Sequence, residues 1–240
     1  MSPNVIAQQK NRAERFEIFV TWYLRFNGYF TVPSFVVHAG DDPTRISGDT
    51  IGNLTEIDTI AVRLPYSREG SGTPFQPDPD VVDEGAKNRF DAIVAEVKSG
   101  DSNSPNKAWR NHETQHIEYL LRFLGWHKED PEIKEAADRL AKSYTLEEPK
   151  PNLRIRYIVF AKSPDSSWSA KGVKYITFDH CIEFLAEERG QCWANAGIGR
   201  CSMHDQWNPL IKRIFQIAND PSLSASERKE RITKVLETGV

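Results

Sequence analysis

Hydrophobic residues recur along the chain at two different spacings, which predict helices in some segments and strands in others. In residues 11–27 the apolar side chains lie three or four positions apart, so they form one face of a helix, and Gly28 is the residue expected to end it. Short runs of β-branched and aromatic residues predict strands at 29–37, 53–64, 91–98, 153–161 and 174–178. Helical spacing predicts further helices at about 106–127, 131–142, 179–188, 207–217 and 224–236.

The order of these elements predicts the fold class and the domain organisation. One helix, three strands, a helix, two more strands and a helix make an α/β fold, and residues 1–190 are expected to form its core. Residues 65–88 are rich in Gly, Pro, Asp and Ser and show no period, so they are expected to be a loop insertion. Residues 191–240 are predicted to be a helical C-terminal extension packed on the core.

Composition and charge narrow the class of protein without choosing a function. The chain is 39% hydrophobic and 27% charged, as expected for a soluble protein, and no apolar run approaches the roughly 18 residues that span a bilayer. Three cysteines without a disulfide spacing, and no apolar signal segment at the N-terminus, favour a cytoplasmic location. Because the net charge is −3, a nucleic-acid partner must bind a local basic patch.

Candidate chemistry lies at the end of the third predicted strand, which is apolar until Glu96 and Lys98. Residues two apart on a strand share one face, so these two charged side chains stand side by side while Val97 points to the other face. Burying them costs several kcal/mol unless they pair or hold a metal. Three other Glu-x-Lys triplets occur in charged or Pro-containing surface sequence, where solvated charge is the expected explanation: Glu132/Lys134, Glu148/Lys150 and Glu227/Lys229.

Two more carboxylates interrupt apolar patterns earlier in the chain. At about 100° per residue, Glu17 falls on the border of the apolar face of the first helix, whereas Glu14 falls on the polar side. Asp58 interrupts the apolar positions of the second strand. Each has an ordinary structural explanation when taken alone: Glu17 as a residue at the edge of the core, and Asp58 as a partner of backbone or Arg.

Together, these residues resemble the PD-(D/E)xK nuclease superfamily, in which one strand carries an Asp and the next ends in an acid-x-Lys. The resemblance implies a restriction-endonuclease-like core of a helix, a three-stranded meander, a helix and further strands in a mixed sheet. It implies that Asp58 and Glu96 bind Mg²⁺, which Mn²⁺ can replace, with the Val97 carbonyl as a further ligand. Lys98 takes the place of the catalytic Lys, and Glu17 that of the Glu on the first helix.

A second motif lies in the helix that follows the Glu-x-Lys strand. Gln115 and Tyr119 form the chain's only Gln-x-x-x-Tyr, and their i, i+4 spacing puts them on one helix face. This is similar to the RecB-type branch, in which the motif lines the cleft and helps to position the strand being cut. The chain departs from the family pattern at Ile57, which stands where a Pro would precede Asp58. The resemblance covers roughly residues 11–188.

The expected function is a Mg²⁺-dependent nuclease that acts on DNA in preference to RNA, and a homodimer is compatible with it. One alternative is a nuclease-fold module that binds nucleic acid or assembles with partners and does not cut. Another is a hydrolase of a small phosphodiester. Cys192, Cys201 and His204 are alternative candidates for a structural zinc site, although their spacing matches no standard zinc motif.

Overall fold

The computed structural model describes residues 3–38, 53–67, 77–126, 130–148, 152–189 and 208–239. Within these ranges, six strands form one mixed sheet that is flanked by helices, which confirms the α/β class. The strands are β1 (Phe30–His38), β2 (Asn53–Arg63), β3 (Phe90–Lys98), β4 (Thr145–Glu148), β5 (Leu153–Ala161) and β6 (Lys174–Thr177).

The helices of the described segments lie on both faces of this sheet. They are α1 (Pro3–Phe26), α2 (Glu84–Lys87), α3 (Lys107–Arg110), α4 (Gln115–Phe123), α5 (Asp130–Ser143), α6 (Ser166–Ser169), α7 (Phe178–Phe184), α8 (Pro209–Ala218) and α9 (Ala225–Thr238). None of them is both long enough and apolar enough to cross a lipid bilayer. The last helix begins with a capping box, in which Ser224 and Glu227 hydrogen-bond each other's backbone N–H.

The sheet combines an antiparallel meander with a parallel pair. Its strand order is β1-β2-β3-β5-β4, with β6 also beside β5. The β1–β2 and β2–β3 pairs are antiparallel, whereas β3 and β5 run parallel. The short strands β4 and β6 pair with the first and second halves of β5, respectively. Strands β2, β3 and β5 are therefore central, and β3 is paired on both sides.

Alternation along β3 divides the core between the two faces of the sheet. Ile93 and Ala95 pack in the cluster formed with α1, α7, α8 and α9, while Ala92 and Val94 pack in the cluster formed with α3, α4 and α5. On α1 the predicted apolar face is confirmed, since Phe19, Val20, Tyr23 and Leu24 are completely buried. Because α8 and α9 share the α1 cluster, residues 208–239 pack on the core.

Several elements differ from the predicted ones: α1 begins at Pro3, and α2, α6 and β4 were not expected. The single helix predicted at 106–127 is divided into α3 and α4, because the turn between them places His112 in the left-handed region with a φ of 53°. Asn106 caps α3 by accepting a hydrogen bond from the N–H of Trp109. Strand β4 was not predicted, and residues 149–151, which follow it, lie outside the described residues.

Half of the predicted loop insertion is packed against the core. Residues 77–88 contain α2, and Val81 and Val82 are buried in the α1 cluster. Asp78 is also buried and accepts a hydrogen bond from Tyr23 at 2.5 Å. Residues 68–76 lie outside the described residues, as do the zinc candidates Cys192, Cys201 and His204.

Candidate active site

Strands β2 and β3 bring Asp58 and Glu96 to the same end of the sheet. Their antiparallel register pairs Thr59 with Ala95. Because Asp58 precedes Thr59 and Glu96 follows Ala95, Asp58 lies opposite Glu96. The N–H of Val97 donates a hydrogen bond of 2.6 Å to Oδ2 of Asp58. Burial raises the pKa of Asp58, although this N–H and the charge of Lys98 oppose the rise. Asp58 is therefore held against β3.

Glu96 is nearly buried and is held by three donors. Its residue exposure is 6%, and burial is the main cause of the raised pKa of its carboxyl group. The ammonium of Lys98 contacts Oε1, while the N–H of Asn106 (3.1 Å) and the hydroxyl of Tyr157 both donate to Oε2. Because an ionised carboxylate has about four acceptor positions, these donors leave Glu96 with capacity for one more ligand.

Glu17, on α1, is close enough to Asp58 for their charges to interact. It is half-buried, and it has no hydrogen-bond partner among the described residues. Burial, followed by the negative charges of Asp58 and Glu56, raises the pKa of Glu17 from its ordinary 4.5 to about 7. The charge of Asp58 also raises the pKa of Glu96. The charge of Asp58 therefore acts on both Glu17 and Glu96, so Asp58 is the carboxylate that links these three residues.

Lys98 is the cation of this group. Its side chain is 26% exposed, and its charge lowers the pKa of both Asp58 and Glu96. Asp58 and Glu96 therefore share one ammonium, and Glu17 adds a third carboxylate near Asp58, which leaves an excess of negative charge. A hard divalent cation with oxygen ligands, such as Mg²⁺, fits this donor set because it typically uses one or two carboxylates and keeps several waters. Asp58 and Glu96 are the pair suited to hold it.

The structure does not bring Gln115 and Tyr119 into contact with the four charged side chains. Gln115 is exposed at the first turn of α4, where it lines a cavity of about 470 Å³ beside the α3–α4 turn. The ring of Tyr119 packs on Phe35 of β1, with ring centroids 6.2 Å apart. Tyr119 contacts β1 and Gln115 lies at the surface, so the role of these two residues in positioning a substrate stays a prediction.

A second group of potential metal ligands was missed by the sequence analysis. In the described ranges, three ligand atoms of His, Cys, Asp or Glu all lie within 4.8 Å of one another only at Asp78, Asp80 and His180. The carboxylates of Glu17, Asp58 and Glu96 do not meet this spacing as a set of three.

The buried carboxylate of Asp78 is stabilised by hydrogen bonds from neighbouring side chains. His180 Nε2 lies 2.8 Å from Asp78, and this carboxylate also accepts from Tyr23. Burial tends to raise the pKa of Asp78, but the hydrogen bonds from His180 and Tyr23 outweigh it and lower that pKa. The same bond to Asp78 raises the pKa of His180, which favours an ion pair. No sequence pattern marked Asp78, because it lies in a segment without periodicity.

Comparison with known proteins assigns the chain to no family. The chain matches no protein-family model, no curated protein and no solved structure.

Proposed function

We propose that this protein is a Mg²⁺-dependent nuclease that hydrolyses phosphodiester bonds of DNA on a restriction-endonuclease-like core. The observation that carries the proposal is the meeting of Glu17, Asp58 and the Glu96–Lys98 pair, three separate segments, at one end of β2 and β3. The element order supports it, since α1, the antiparallel meander β1–β3, the α3–α5 helices and the parallel strand β5 follow the order of that superfamily core.

The excess of negative charge supports a cation as the missing partner of the site. Asp58 and Glu96 would hold Mg²⁺, with the Val97 carbonyl as a third oxygen from the chain. When bound, the ion supplies a coordinated water of lowered pKa and neutralises charge on the phosphate. Purely structural buried carboxylates would be expected to have a cationic partner each, and among the described residues Lys98 is the one cation that acts on both Asp58 and Glu96.

Lys98 is suited to stabilise charge that develops on the phosphate during hydrolysis. Its ammonium has three N–H donors, and Glu96 orients the group, so donors remain for the oxygens of the substrate. Fixed donors aimed at developing charge lower the barrier because they need no reorganisation in the transition state. Lys98 therefore acts as an electrostatic aid rather than as a base.

Glu17 is suited to accept a proton from the attacking water. With a pKa of about 7, it can change its protonation state near neutral pH. The water oxygen forms a new bond to phosphorus, its proton passes to Glu17, and the P–O ester bond breaks. The leaving oxygen takes a proton from solvent, so the products are a phosphate monoester and a free hydroxyl.

Two matched lysine variants test this proposal, because the chain contains the same Glu-x-Lys triplet in a surface helix. Lys98→Gln and Lys134→Gln would be compared with wild type on single- and double-stranded DNA and on RNA, with Mg²⁺ or EDTA. We expect wild-type cleavage of DNA with Mg²⁺ alone, a loss of about 10²–10³-fold in Lys98→Gln, and unchanged rates in the exposed Lys134→Gln.

Two results would contradict the proposal. Cleavage by the wild type in EDTA would show that the reaction does not need a metal ion. An unchanged rate in Lys98→Gln would show that this site does not catalyse cleavage. Binding of DNA without cleavage in either Mg²⁺ or Mn²⁺ would favour the module that does not cut.

A further inference from the structure

Behind Glu96 lies a tyrosine that the sequence analysis did not consider. Tyr157 is on β5, is 1% exposed, and donates its hydroxyl to Oε2 of Glu96. The parallel register explains the contact, because Tyr157 pairs with Val94, two residues before Glu96 and on the same face of β3. The hydroxyl thus reaches along the sheet to the carboxylate from the buried side.

The ring of Tyr157 is itself fixed. It stacks on Trp109 of α3, with centroids 4.1 Å apart and an angle of 24° between the planes. Trp109 is also 1% exposed, and it is held at the start of α3 by the cap that Asn106 provides. The backbone N–H of Asn106 is the second donor to Oε2 of Glu96. The loop and the aromatic stack therefore fix the same carboxylate oxygen.

We infer that Tyr157 is a positioning residue, which holds Oε2 of Glu96 so that the carboxylate remains turned toward the divalent cation. This inference rests on the proposed function. Lys98 draws Oε1 of Glu96 toward itself, and the Tyr157 hydroxyl restrains the other oxygen against that pull. Partners that orient a metal-binding carboxylate in this way typically contribute 10–100-fold to metal affinity or activity.

A neighbouring tyrosine provides a matched control. Tyr144 belongs to the same aromatic cluster, with its ring centroid 6.1 Å from that of Tyr157, and it is equally buried. Its hydroxyl has no hydrogen-bond partner among the residues that the structure describes. Tyr144→Phe and Tyr157→Phe therefore remove the same atom from the same core, and only Tyr157→Phe removes a contact with Glu96.

The test is direct binding of Mg²⁺, measured by isothermal titration calorimetry on the full chain. We expect the Kd to rise about tenfold in Tyr157→Phe, to stay within about twofold of wild type in Tyr144→Phe, and to become unmeasurable in Glu96→Gln. In cleavage assays, the Mg²⁺ concentration that gives half-maximal rate should rise by the same factor in Tyr157→Phe. The rate at saturating Mg²⁺ should recover, which a general loss of structure would not allow.

The outcomes separate this inference from the function on which it rests. If wild type binds Mg²⁺ and Glu96→Gln does not, an unchanged Kd in Tyr157→Phe overturns the role of Tyr157 alone. If wild type binds no Mg²⁺, the metal-dependent function itself is overturned. Should Tyr157→Phe fail to fold, Trp109→Phe retains the hydroxyl but loosens its stack; a rise of a few fold in Kd supports the inference and an unchanged Kd overturns it.

Discussion

The two ends of β3 both bury carboxylates, but they compensate the charge in opposite ways. At the beginning of the strand, Asp91 is completely buried and receives Arg154 on one oxygen and Arg156 on the other. Tyr29 donates to the same carboxylate, and Asp83 lies 3.0 Å from Arg154. At the far end of the strand, Lys98 is the one cation that the described residues place beside Glu96 and Asp58.

This contrast distinguishes a structural network from a candidate functional site. Two guanidinium groups meet two carboxylates around Asp91, so the charges balance and the network fastens residues 77–88 to the sheet. At the other end, the negative charge of Asp58 raises the pKa values of both Glu17 and Glu96. A fold that is stable despite such repulsion is expected to keep it for function, because replacing it would stabilise the protein.

The largest effect expected from this contrast is on stability at Asp91. Asp91→Asn would leave Arg154 and Arg156 buried without their counter-charge, so the free energy of unfolding should fall by about 3–5 kcal/mol. Urea denaturation measures it, with the exposed Asp138→Asn as the control, for which no change is expected. A loss below about 1 kcal/mol would show that Asp91 is not the centre of a structural network.

The next effect is stabilisation by Mg²⁺ at the opposite end. At a concentration 100-fold above its Kd, Mg²⁺ should stabilise the wild type by about 2.7 kcal/mol, because it binds the folded state alone. Thermal unfolding with and without the ion measures this gain. Asp58→Asn should abolish it and Asp80→Asn should not. The reverse pattern would move the metal to the group at Asp78, Asp80 and His180.

A smaller effect, opposite in sign to that of Asp91→Asn, is expected for Asp58→Asn in EDTA. Removing this charge relieves repulsion with Glu17 and Glu96, while the amide oxygen can still accept from the N–H of Val97. The free energy of unfolding should therefore rise by about 1 kcal/mol while nuclease activity is lost. If the variant is less stable than wild type, the two ends of β3 do not differ in the way described.

The smallest effect is the pH dependence contributed by Glu17, which is half-exposed and therefore partly screened by solvent. Its pKa of about 7 in the folded protein exceeds the ordinary 4.5, so the fold favours the protonated form. The stability it contributes is complete below about pH 4.5 and is lost as the pH rises through 7. Glu17→Gln in EDTA should not show this loss. Identical pH profiles of the two proteins in urea denaturation would contradict the raised pKa.

The hydrophobic pattern of the sequence was sufficient to predict the main helices and strands that form the core. Strand β3 follows from an apolar run, β5 from a segment that alternates at first and is then apolar, and the apolar face of α1 from its period. Glu96 and Lys98 could be singled out because charge at the end of a buried strand is costly. The convergence of Asp58 with Glu96 depends on strand pairing, which only the family resemblance suggested.

What the pattern missed depends on contacts between distant segments. Strand β4 contains two glutamates and is a strand because it pairs with the first half of β5. The pattern does not distinguish Tyr157 from the apolar residues of β5. Its contact with Glu96, 61 residues away, arises from the parallel register of β3 and β5. The Asp91 network likewise joins β3 to arginines more than 60 residues away.

The most direct test of the central claim is anomalous diffraction from crystals grown with Mn²⁺, an ion that takes the same oxygen ligands as Mg²⁺. We expect an anomalous peak between the carboxylates of Asp58 and Glu96, with Lys98 beside it. A peak at Asp78, Asp80 and His180 with none at Asp58 and Glu96 would contradict it.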